Sequence, residues 1–292
     1  GLEKGEGMSE NLIPYYQKQN VLITGHTGFK GSWLSLFLLQ LGANVTGISL
    51  DPPTNPNHFD LIGLKKEMQD IRIDIRDKEA VLRTFQECQP TFVFHLAAQS
   101  LVLESYANPS QTFEVNVQGT VNVLEAVRMT PSVKTAVVIT TDKVYANDET
   151  ASSFSETDAL GSADPYSTSK AMTEFLAESY NKSFFNQAGV GLATARSGNV
   201  IGGGDFAMNR LVPDCIRALF SESPIHLRNP NSKRPWMHVL DPLRGYLLLG
   251  AKLSDNPLLY SSPYNFGPLE KIPFTCQEIA EWKSKLSKEL VM

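Results

Sequence analysis

The chain has 292 residues, of which 42% are hydrophobic, and a net charge of −5 at pH 7, which suits one large or two medium-sized domains with a buried core. Its acids and bases are interspersed, and its longest apolar stretch (33–41) is too short to cross a bilayer, which argues against nucleic-acid and membrane partners. Three scattered cysteines favour a reducing compartment, and neither C-x-x-C nor H-E-x-x-H spacing occurs. We expect a cytoplasmic protein without a metal site.

The first ordered elements follow a polar N-terminal segment. Residues 1–19 are mixed and polar and predict an extension, with order beginning at Asn20. A short apolar run at 20–24 is typical of a buried strand, apolar residues at helical spacing follow it, and a second strand is predicted at 44–49. A strand, a glycine-rich turn, a helix and a strand within about 30 residues predict a βαβ unit.

The turn between the first strand and helix carries glycines at three-residue spacing, Gly25, Gly28 and Gly31. Such glycines allow a tight turn, close approach of a pyrophosphate and packing of helix on strand. Free N–H groups at the helix N-terminus would then face the phosphates. We predict that this turn binds a dinucleotide, and that the bulky His26 and Lys30 either touch the pyrophosphate or face solvent.

Residues after the second strand bear on the choice of dinucleotide. The acid that would bind the ribose hydroxyls is either missing or displaced by about two residues, to Asp51. No arginine follows this strand to hold a 2′-phosphate, so NAD is favoured over NADP. Asp74 is expected either to accept from the adenine amino group or to cap a turn. The small residues 96–98 would let a ligand lie against the backbone.

Strands alternate with helices over residues 20–141, which predicts a Rossmann-type doubly wound parallel sheet with ligands at the carboxyl ends of its strands. Further strands are predicted at 71–74, 91–95, 135–140 and 191–195, helices at 78–87, 113–128, 211–220 and 241–253, and a turn at 264–268. We expect a dinucleotide-binding domain at 20–195 and a smaller substrate lobe at 196–292, interleaved with Rossmann elements.

Tyr166 and Lys170 stand four residues apart, directly after Pro165, which suits the first position of a helix. Residues at this spacing share a helix face, so the phenol and the ammonium can reach one substrate atom together. The ammonium is expected to lower the pKa of the phenol, so that Tyr166 serves as a base near neutral pH. Farther on, the arginines of the loop 228–238 suit a diphosphate, although the loop is also compatible with a solvated hairpin.

Several motifs together resemble the extended short-chain dehydrogenases/reductases that act on nucleotide sugars. They are Thr24-Gly25-x-x-Gly28-x-x-Gly31, His95-Leu96-Ala97-Ala98, Asn116, Thr140-Thr141-Asp142-Lys143-Val144-Tyr145, Tyr166-x-x-x-Lys170 and Arg196-x-x-Asn199-Val200. Within that group the resemblance is greatest to the CDP-glucose 4,6-dehydratases, through residues 25–34, 52–54, 141–143, 198–205 and 228–236. It covers residues 20–285.

The resemblance implies an internal redox cycle on CDP-glucose, with NAD as a recycled cofactor. Tyr166, assisted by Lys170 and Thr141, would take the proton of the sugar 4-hydroxyl while the C4 hydride is stored and later returned to C6. Asp142 would protonate the departing 6-hydroxyl. Lys143 stands where dTDP-glucose dehydratases carry a glutamate that removes H5, so it would act either as a neutral base or as a charged stabiliser of the enolate.

The resemblance also assigns the remaining site residues. For the cofactor these are Gly25, His26, Thr27, Gly28, Phe29, Lys30, Gly31, Asp74, Ile75, Leu96, Ala97, Ala98, Tyr166 and Lys170, and for the nucleotide sugar Gln99, Asn199, Arg210, Arg228, Arg234 and His238. It implies a homodimer formed through helices 113–128 and 166–182. Family members continue for several dozen residues past 278–282, so the substrate lobe is expected to be incomplete.

Two other functions remain open on the sequence. One is a nucleotide-sugar 4-epimerase, or a 4,6-dehydratase for another nucleotide. The other is a catalytically impaired NAD-binding protein. The joint presence of Thr141, Asp142, Tyr166 and Lys170 favours an enzyme, because a binding protein has no need of these four groups together.

Overall fold

The structure is a computed structural model that describes residues 11–147, 153–221, 223–225, 227, 229–268 and 274–281. The strands are β1 Asn20–Thr24, β2 Asn44–Ser49, β3 Gln69–Arg72, β4 Phe92–His95, β5 Thr135–Ile139, β6 Gly191–Ser197, β7 Val200–Ile201, β8 Lys233–Arg234, β9 Met237–His238, β10 Pro263–Phe266 and β11 Phe274–Thr275. The helices are α1 Ile13–Tyr16, α2 Phe29–Gln40, α3 His58–Leu61, α4 Lys78–Cys88, α5 Val102–Ala107, α6 Pro109–Phe113, α7 Gly119–Arg128, α8 Pro165–Tyr180, α9 Asn186–Ala188, α10 Leu211–Phe220, α11 Leu240–Asp255 and α12 Pro257–Tyr260.

The central sheet has seven strands in the order β3-β2-β1-β4-β5-β6-β10. Each neighbouring pair runs parallel. The chain reverses its direction across the sheet between β1 and β4, and ligands of such sheets bind outside the carboxyl ends of the strands at this point. The predicted doubly wound α/β sheet is confirmed.

Successive residues of the central strands point to opposite faces of the sheet, as the twofold period of a strand requires. Ile23 and Phe94 pack on one face with helices α2 and α11. Leu22 and Val93 pack on the other face with α4 and α7. Both faces are covered, so consecutive residues in the middle of these strands are apolar. The rigid sheet therefore holds the carboxyl ends of its strands in fixed relative positions.

The predicted bounds of β1 and β2 match the structure, whereas two other assignments are wrong. The turn predicted at 264–268 is not formed, because 263–266 are strand β10 at the sheet edge, with Tyr264 paired to Ala195. The strand predicted at 71–74 lies two residues earlier. Parallel pairing with a distant strand decides both cases, and short polar segments do not display such pairing locally.

The helix predicted at 113–128 is also interrupted. Between α6 and α7 the backbone forms a π-helical segment, Glu114–Gln118. Such segments widen one turn of a helix and are frequent at functional sites. The segment contains the buried Asn116. The widening thus lies beside the carboxyl ends of the central strands, where Asn116 contacts α8.

The N-terminal segment contributes to the core, contrary to the expectation that order begins at Asn20. Leu12 and Tyr16 belong to the same apolar cluster as α2 and α11. The Tyr16 hydroxyl donates to the carbonyl oxygen of Leu247 at 2.6 Å. Residues 11–19 are therefore part of the domain. Within the described ranges, no helix is long and apolar enough to cross a membrane.

Candidate active site

The glycine-rich turn brings the N-terminus of α2 against the end of β1. Gly25 has a φ of +78°, and its N–H donates to the carbonyl oxygen of Ile48 at 2.8 Å. A β-carbon at Gly31 would collide with the carbonyl oxygen of Gly25. Gly28 is the N-cap of α2, and no side chain caps the helix there. The first N–H groups of α2 are thus available to an anion, which fits the diphosphate of a dinucleotide.

His26 lies beneath this turn and not at its surface. Its Nε2 is 2.7 Å from Oδ1 of Asp70, and its ring stands edge-on to Phe59. The ring occupies the space that a side chain at Gly47 would fill. Burial lowers the pKa of His26 and is the largest cause of the shift. The expectation that this side chain touches pyrophosphate or solvent is wrong, because Asp70 and Gly47 create a buried place for it.

Lys30 crosses from α2 to the end of β6. Its Nζ donates to Oγ of Ser197 at 2.7 Å, and the Tyr246 hydroxyl donates to the same oxygen at 2.8 Å. Burial lowers the pKa of Lys30 to about 8, and the charge of Arg210 adds to this effect while Asp142 opposes it. The side chain therefore points toward the reactive end of the sheet.

The carboxyl end of β2 lies beside an arginine of the neighbouring strand β3, Arg72. Nη1 of Arg72 donates to the carbonyl oxygen of Leu50 at 2.8 Å, and its Nη2 pairs with Oδ2 of Asp70 at 2.9 Å. Asp51 lies at the same point with its side chain 94% exposed. No arginine follows β2 in the sequence, as predicted, yet the fold places one beside its end. Arg72 comes from the neighbouring strand β3, which only the sheet brings alongside.

Asp74 is occupied by its own turn. Its Oδ1 accepts the backbone N–H of Arg76 at 2.9 Å, and its Oδ2 accepts from Nη2 of the same residue at 2.7 Å. These hydrogen bonds lower the pKa of Asp74. Ile75 is buried against Gly119. Both residues follow the carboxyl end of β3, and contact with adenine remains a prediction.

The loop after β4 lies against the glycine-rich turn. The N–H of Ala97 donates to Oγ1 of Thr24 at 3.0 Å, and a β-carbon at Gly25 would lie 2.7 Å from that same nitrogen. Thr24 also contacts Nδ1 of His95 at 2.7 Å. Burial lowers the pKa of His95 to about 3, so it is a neutral link within the sheet. Leu96 and its neighbours thus form one wall of the crevice.

Gln99 shapes its own loop. Its backbone N–H donates to Oδ1 of Asn116 at 2.8 Å. Its side chain donates to Oγ1 of Thr112 at 3.0 Å and accepts from the N–H of Leu101 at 2.6 Å. Asn116 in turn donates to Oγ of Ser169 on α8 at 2.8 Å. Asn116 therefore joins this loop to α8, and direct contact of Gln99 with substrate stays a prediction.

Tyr166 and Lys170 lie on one face of α8, opposite the end of β5. Asp164 caps this helix by accepting from the N–H of Ser167, and Pro165 occupies its first turn as expected. Tyr166 is hydrogen-bonded to Thr141, and Nζ of Lys170 donates to the carbonyl oxygen of Ile139 at 3.0 Å. The two motif residues thus both contact strand β5 or the segment that directly follows it.

Burial dominates the ionisation of this pair. It raises the pKa of Tyr166 to about 12, while Thr141 and the charge of Arg210 act in the opposite direction. It lowers the pKa of Lys170 to about 8, with a further contribution from Lys30. The prediction that Lys170 brings the phenol pKa toward neutrality is not met in the protein alone. Desolvation disfavours both charged forms, and the ammonium is directed to a backbone carbonyl.

Asp142 and Lys143 lie in a 3₁₀ turn, Asp142–Val144, shortly after strand β5. Oγ1 of Thr141 donates to Oδ1 of Asp142 at 3.1 Å. Burial raises the pKa of Asp142 and outweighs the lowering by Thr141, Lys143 and Arg234. Asp142 therefore retains a proton more readily than an exposed aspartate, which suits an acid.

Lys143 is exposed at the mouth of the crevice. Nevertheless, partial desolvation and the nearby charge of Arg234 lower its pKa, against the opposing charges of Asp142 and Asp164. A lysine with a lowered pKa can act as a base, and a charged one can stabilise an enolate. The geometry is compatible with both roles.

The substrate lobe contributes arginines to the same crevice. Arg210 precedes α10, and its guanidinium donates to Oδ2 of Asp205 at 3.1 Å and to Oγ of Ser100 at 3.4 Å. Arg234 lies on β8 within electrostatic reach of Asp142. These two arginines therefore approach the segment Thr141–Lys143, called the reactive turn below, from different elements.

The other predicted substrate residues are less directly placed. The backbone carbonyl of Asn199 accepts the N–H of Met237 at 3.0 Å, which aligns β7 with β9. His238 is exposed and accepts the N–H of Leu240 through Nδ1 at 3.3 Å. Arg228 lies outside the described residues. Substrate contacts of all three remain predictions.

The glycine-rich connection after β6 is fastened to α2. Nε1 of Trp33 donates to the carbonyl oxygen of Gly203 at 2.9 Å, and its indole stacks on His58 with ring centroids 4.6 Å apart. A β-carbon at Gly204 would collide with the His58 ring. At Gly198, a β-carbon would lie 3.0 Å from Oδ2 of Asp142. This connection thus forms the side of the crevice opposite the loop after β4.

Several groups that shape the site were not recognised as such from the sequence. Glu174 and Tyr246 carry no motif of their own, and Tyr145, Arg196 and Asn116 lie within the motifs quoted above without an assigned role. A signal for Glu174 was available in its position, because a residue four after Lys170 falls on the same helix face. Among the described residues, no group of three or more His, Cys, Asp or Glu side chains could hold a metal ion.

Comparison with known proteins gives consistent matches. The family described as GDP-mannose 4,6 dehydratase matches residues 22–284. CDP-glucose 4,6-dehydratase from Salmonella typhimurium strain LT2 is 44% identical over 272 residues, which are 91% of this chain and 76% of the relative.

Solved structures show the same fold. UDP-glucose 4-epimerase from Thermus thermophilus, in complex with NAD, has a TM-score of 0.76 and 28% identity over 92% of this chain and 83% of its own. A dTDP-glucose 4,6-dehydratase from Streptomyces venezuelae with NAD bound has a TM-score of 0.76 and 26% identity over 91% of this chain and 80% of its own. With the motifs and the family match taken together, the chain belongs to the nucleotide-sugar 4,6-dehydratases, hydro-lyases of the extended short-chain dehydrogenase/reductase fold.

Proposed function

We propose that the protein is an NAD-dependent dehydratase that converts CDP-D-glucose into CDP-4-keto-6-deoxy-D-glucose. The observation that carries the proposal is the convergence of Thr141, Asp142, Tyr166 and Lys170 at the carboxyl end of β5. These groups occur in a chain that is 44% identical to a CDP-glucose 4,6-dehydratase. The reaction class follows from the site and the family, and the nucleotide follows from that relative.

The glycine-rich turn suits NAD. Gly25, Gly28 and Gly31 leave room for a diphosphate at the uncapped N-terminus of α2. Arg72 is paired with Asp70, and this pairing opposes capture of a 2′-phosphate. Bound NAD would supply the acceptor and donor of the hydride that is removed at C4 and returned at C6.

Tyr166 takes the proton of the sugar 4-hydroxyl in this proposal. Its ordinary acidity is opposed by burial, so the positive charges of Arg210 and protonated Lys170 must favour the phenolate during the reaction. Thr141, already hydrogen-bonded to the phenol, is in position to hold the same hydroxyl. Tyr166, Lys170 and Thr141 therefore act together on the proton of the sugar 4-hydroxyl.

Elimination of water follows at C5 and C6 of the oxidised sugar. Asp142 donates a proton to the departing 6-hydroxyl, a role favoured by its raised pKa. Lys143 acts at C5, either as the base that takes H5 or as the cation that stabilises the enolate, in which case water takes H5. Arg210 and Arg234 hold the diphosphate, because a guanidinium pairs well with phosphate oxygens.

Assembly and location are part of the same proposal. We expect a homodimer through helices 113–128 and 166–182. Met172 and Phe175 support this, since they leave 41% and 55% of their surface exposed on α8. A cytoplasmic location is expected for an enzyme whose three cysteines are scattered along the chain.

The test is to incubate the protein with NAD and CDP-glucose, and separately with dTDP-glucose, and to identify the products. We expect a 4-keto-6-deoxy sugar from CDP-glucose alone, with Tyr166→Phe as the inactive control. Formation of a C4 epimer would indicate an epimerase, and turnover of dTDP-glucose alone would indicate another nucleotide. Absence of turnover in a protein that binds NAD would contradict the proposal.

A further inference from the structure

A buried ion pair lies directly behind the reactive turn. Nη2 of Arg196 on β6 is 2.9 Å from Oε2 of Glu174 on α8, and the two side chains are only 3% and 4% exposed. Thr194 also donates to Oε2 of Glu174, at 2.6 Å. None of these groups takes part in the proton transfers proposed above. Taking two charges out of water is costly, so the pair calls for an explanation beyond packing.

Glu174 completes a set of contacts between α8 and the end of β5. Three consecutive residues of the strand end meet three residues spaced by four on the helix. Ile139 accepts from Lys170, Thr140 donates to Oε1 of Glu174, and Thr141 is hydrogen-bonded to Tyr166. Residues at this spacing form one helix face. Glu174 thus holds Thr140, which lies between the two residues that contact Tyr166 and Lys170.

Arg196 extends the set to the other end of the reactive turn. Its Nη1 donates to the hydroxyl oxygen of Tyr145 at 2.8 Å, and that hydroxyl donates to Oδ1 of Asn265 on β10 at 2.6 Å. Tyr145 directly follows the 3₁₀ turn that carries Asp142 and Lys143. The guanidinium also lies over the Tyr145 ring, 5.1 Å from its centroid.

We propose that Glu174, Arg196 and Tyr145 are positioning residues that hold the segment Thr141–Lys143 at both ends and so align it with Tyr166 and Lys170. The inference rests on the dehydratase function proposed above. The ion pair between Glu174 and Arg196 would then link Tyr166, which removes the 4-hydroxyl proton, to the turn whose side chains expel the 6-hydroxyl. Alignment matters because a misplacement of about 1 Å costs a reaction about 100-fold in rate.

Glu174 also affects the charge of Lys170. The groups that face this ammonium are Lys30 from α2, His95 from β4, and Tyr166 and Glu174 from its own helix. Lys30 disfavours the protonated form, Glu174 favours it, and His95 and Tyr166 are neutral in the protein near pH 7. Removal of the carboxylate charge therefore lowers the pKa of Lys170 further, and the ammonium is lost at a lower pH.

The test compares Glu174→Gln and Tyr145→Phe with a matched control, Glu178→Gln, an exposed glutamate one turn along the same helix. We expect kcat for CDP-glucose to fall about 100-fold in Glu174→Gln while KM changes less than about twofold, since no substrate contact is removed. The alkaline limb of its pH profile moves to lower pH. Tyr145→Phe lowers kcat without moving that limb, and Glu178→Gln matches the wild type.

A second variant separates alignment from stability. Glu174→Gln alone leaves a buried guanidinium unpaired, so its melting temperature is expected to fall by about 10 °C. Glu174→Gln combined with Arg196→Met removes both charges and regains most of that loss. If the pair only stabilises the fold, kcat recovers together with the melting temperature. We expect kcat to stay low.

The outcomes are distinct. If the wild type turns over CDP-glucose and Glu174→Gln has the same kcat and pH profile, the positioning role is overturned. Recovery of kcat in the double variant overturns it as well. Absence of wild-type turnover with CDP-glucose, when NAD binds, overturns the proposed function and this inference with it. Equilibrium binding of NAD, measured by titration, should be the same in all variants.

Discussion

Nζ of Lys170 donates to the carbonyl oxygen of Ile139 at 3.0 Å, so the lysine of the Tyr-x-x-x-Lys motif is anchored on strand β5 and not on the phenol beside it. The same burial lowers the pKa of Lys170 to about 8 and raises that of Tyr166 to about 12. The folded protein therefore favours the neutral form of both groups. Burial of these two groups therefore lowers the free energy of unfolding in return for a reactive site, and the loss is measurable.

Replacement of Lys170 should stabilise the protein at neutral pH. The folded pKa of about 8 lies below the ordinary value of 10.5, so folding penalises the charged form. The penalty is fully present below pH 8 and disappears as the pH rises toward 10.5. Lys170→Met should therefore raise the free energy of unfolding at pH 7 by about 1–3 kcal/mol, after loss of the hydrogen bond to Ile139.

Urea denaturation at several pH values measures this effect. The gain should shrink between pH 8 and 10.5, while turnover is lost at every pH. Lys182→Met serves as the control, because that lysine is 71% exposed. A Lys170→Met protein less stable than the wild type at pH 7 would contradict the assignment.

The phenol of Tyr166 should resist ionisation in the protein alone. Burial raises its pKa to about 12, so the ultraviolet difference between wild type and Tyr166→Phe should show no phenolate below pH ~10, the ordinary tyrosine value. The variant should also lose about 10²- to 10⁴-fold in kcat, the usual contribution of an acid–base group. A phenolate signal from this residue near pH 7 would contradict the role of burial.

Gly198→Ala should displace the Asp142 carboxyl without changing the affinity for NAD. Its new β-carbon would lie 3.0 Å from Oδ2 of Asp142 and 2.7 Å from Cγ of Pro235. We expect kcat to fall about tenfold or more through displacement of the carboxyl, with NAD affinity unchanged. Gly203→Ala is the matched control, because no atom lies within 4 Å of its β-carbon position. Equal activities of the two variants would refute the contact.

Two substitutions of Lys143 distinguish its possible roles. Lys143→Ala should bind NAD normally but slow the steps after oxidation at C4, with a loss of about 10²-fold. Lys143→Arg keeps a positive charge yet cannot serve as a base at neutral pH, because the guanidinium stays protonated. If the lysine stabilises the enolate, the arginine variant retains activity. If it removes H5, both variants lose activity and exchange of H5 with solvent deuterium also stops. A full rate in Lys143→Ala would exclude any chemical role.

Local patterns in the sequence were sufficient for the fold and for the candidate pair Tyr166 and Lys170. The apolar run at 20–24, the glycines that follow it and the helix that starts at Pro165 lie where predicted. Each of these signals depends on neighbouring residues, since period, turn and cap are local properties. The pair Tyr166 and Lys170 likewise suggests acid–base chemistry from residue type and spacing, whereas the roles expected of Thr141 and Asp142 come from the resemblance to a known family.

The sequence by itself thus determined the architecture and the family, and it supplied the candidate reactive groups. Only the tertiary structure decided which partner each group has: His26 is buried on Asp70, Arg72 reaches the end of β2, and Glu174 pairs with Arg196. These contacts join residues far apart in the chain, and burial then sets the ionisation of the groups they enclose. Burial depends on what packs around a residue, and no local pattern in a sequence contains that information.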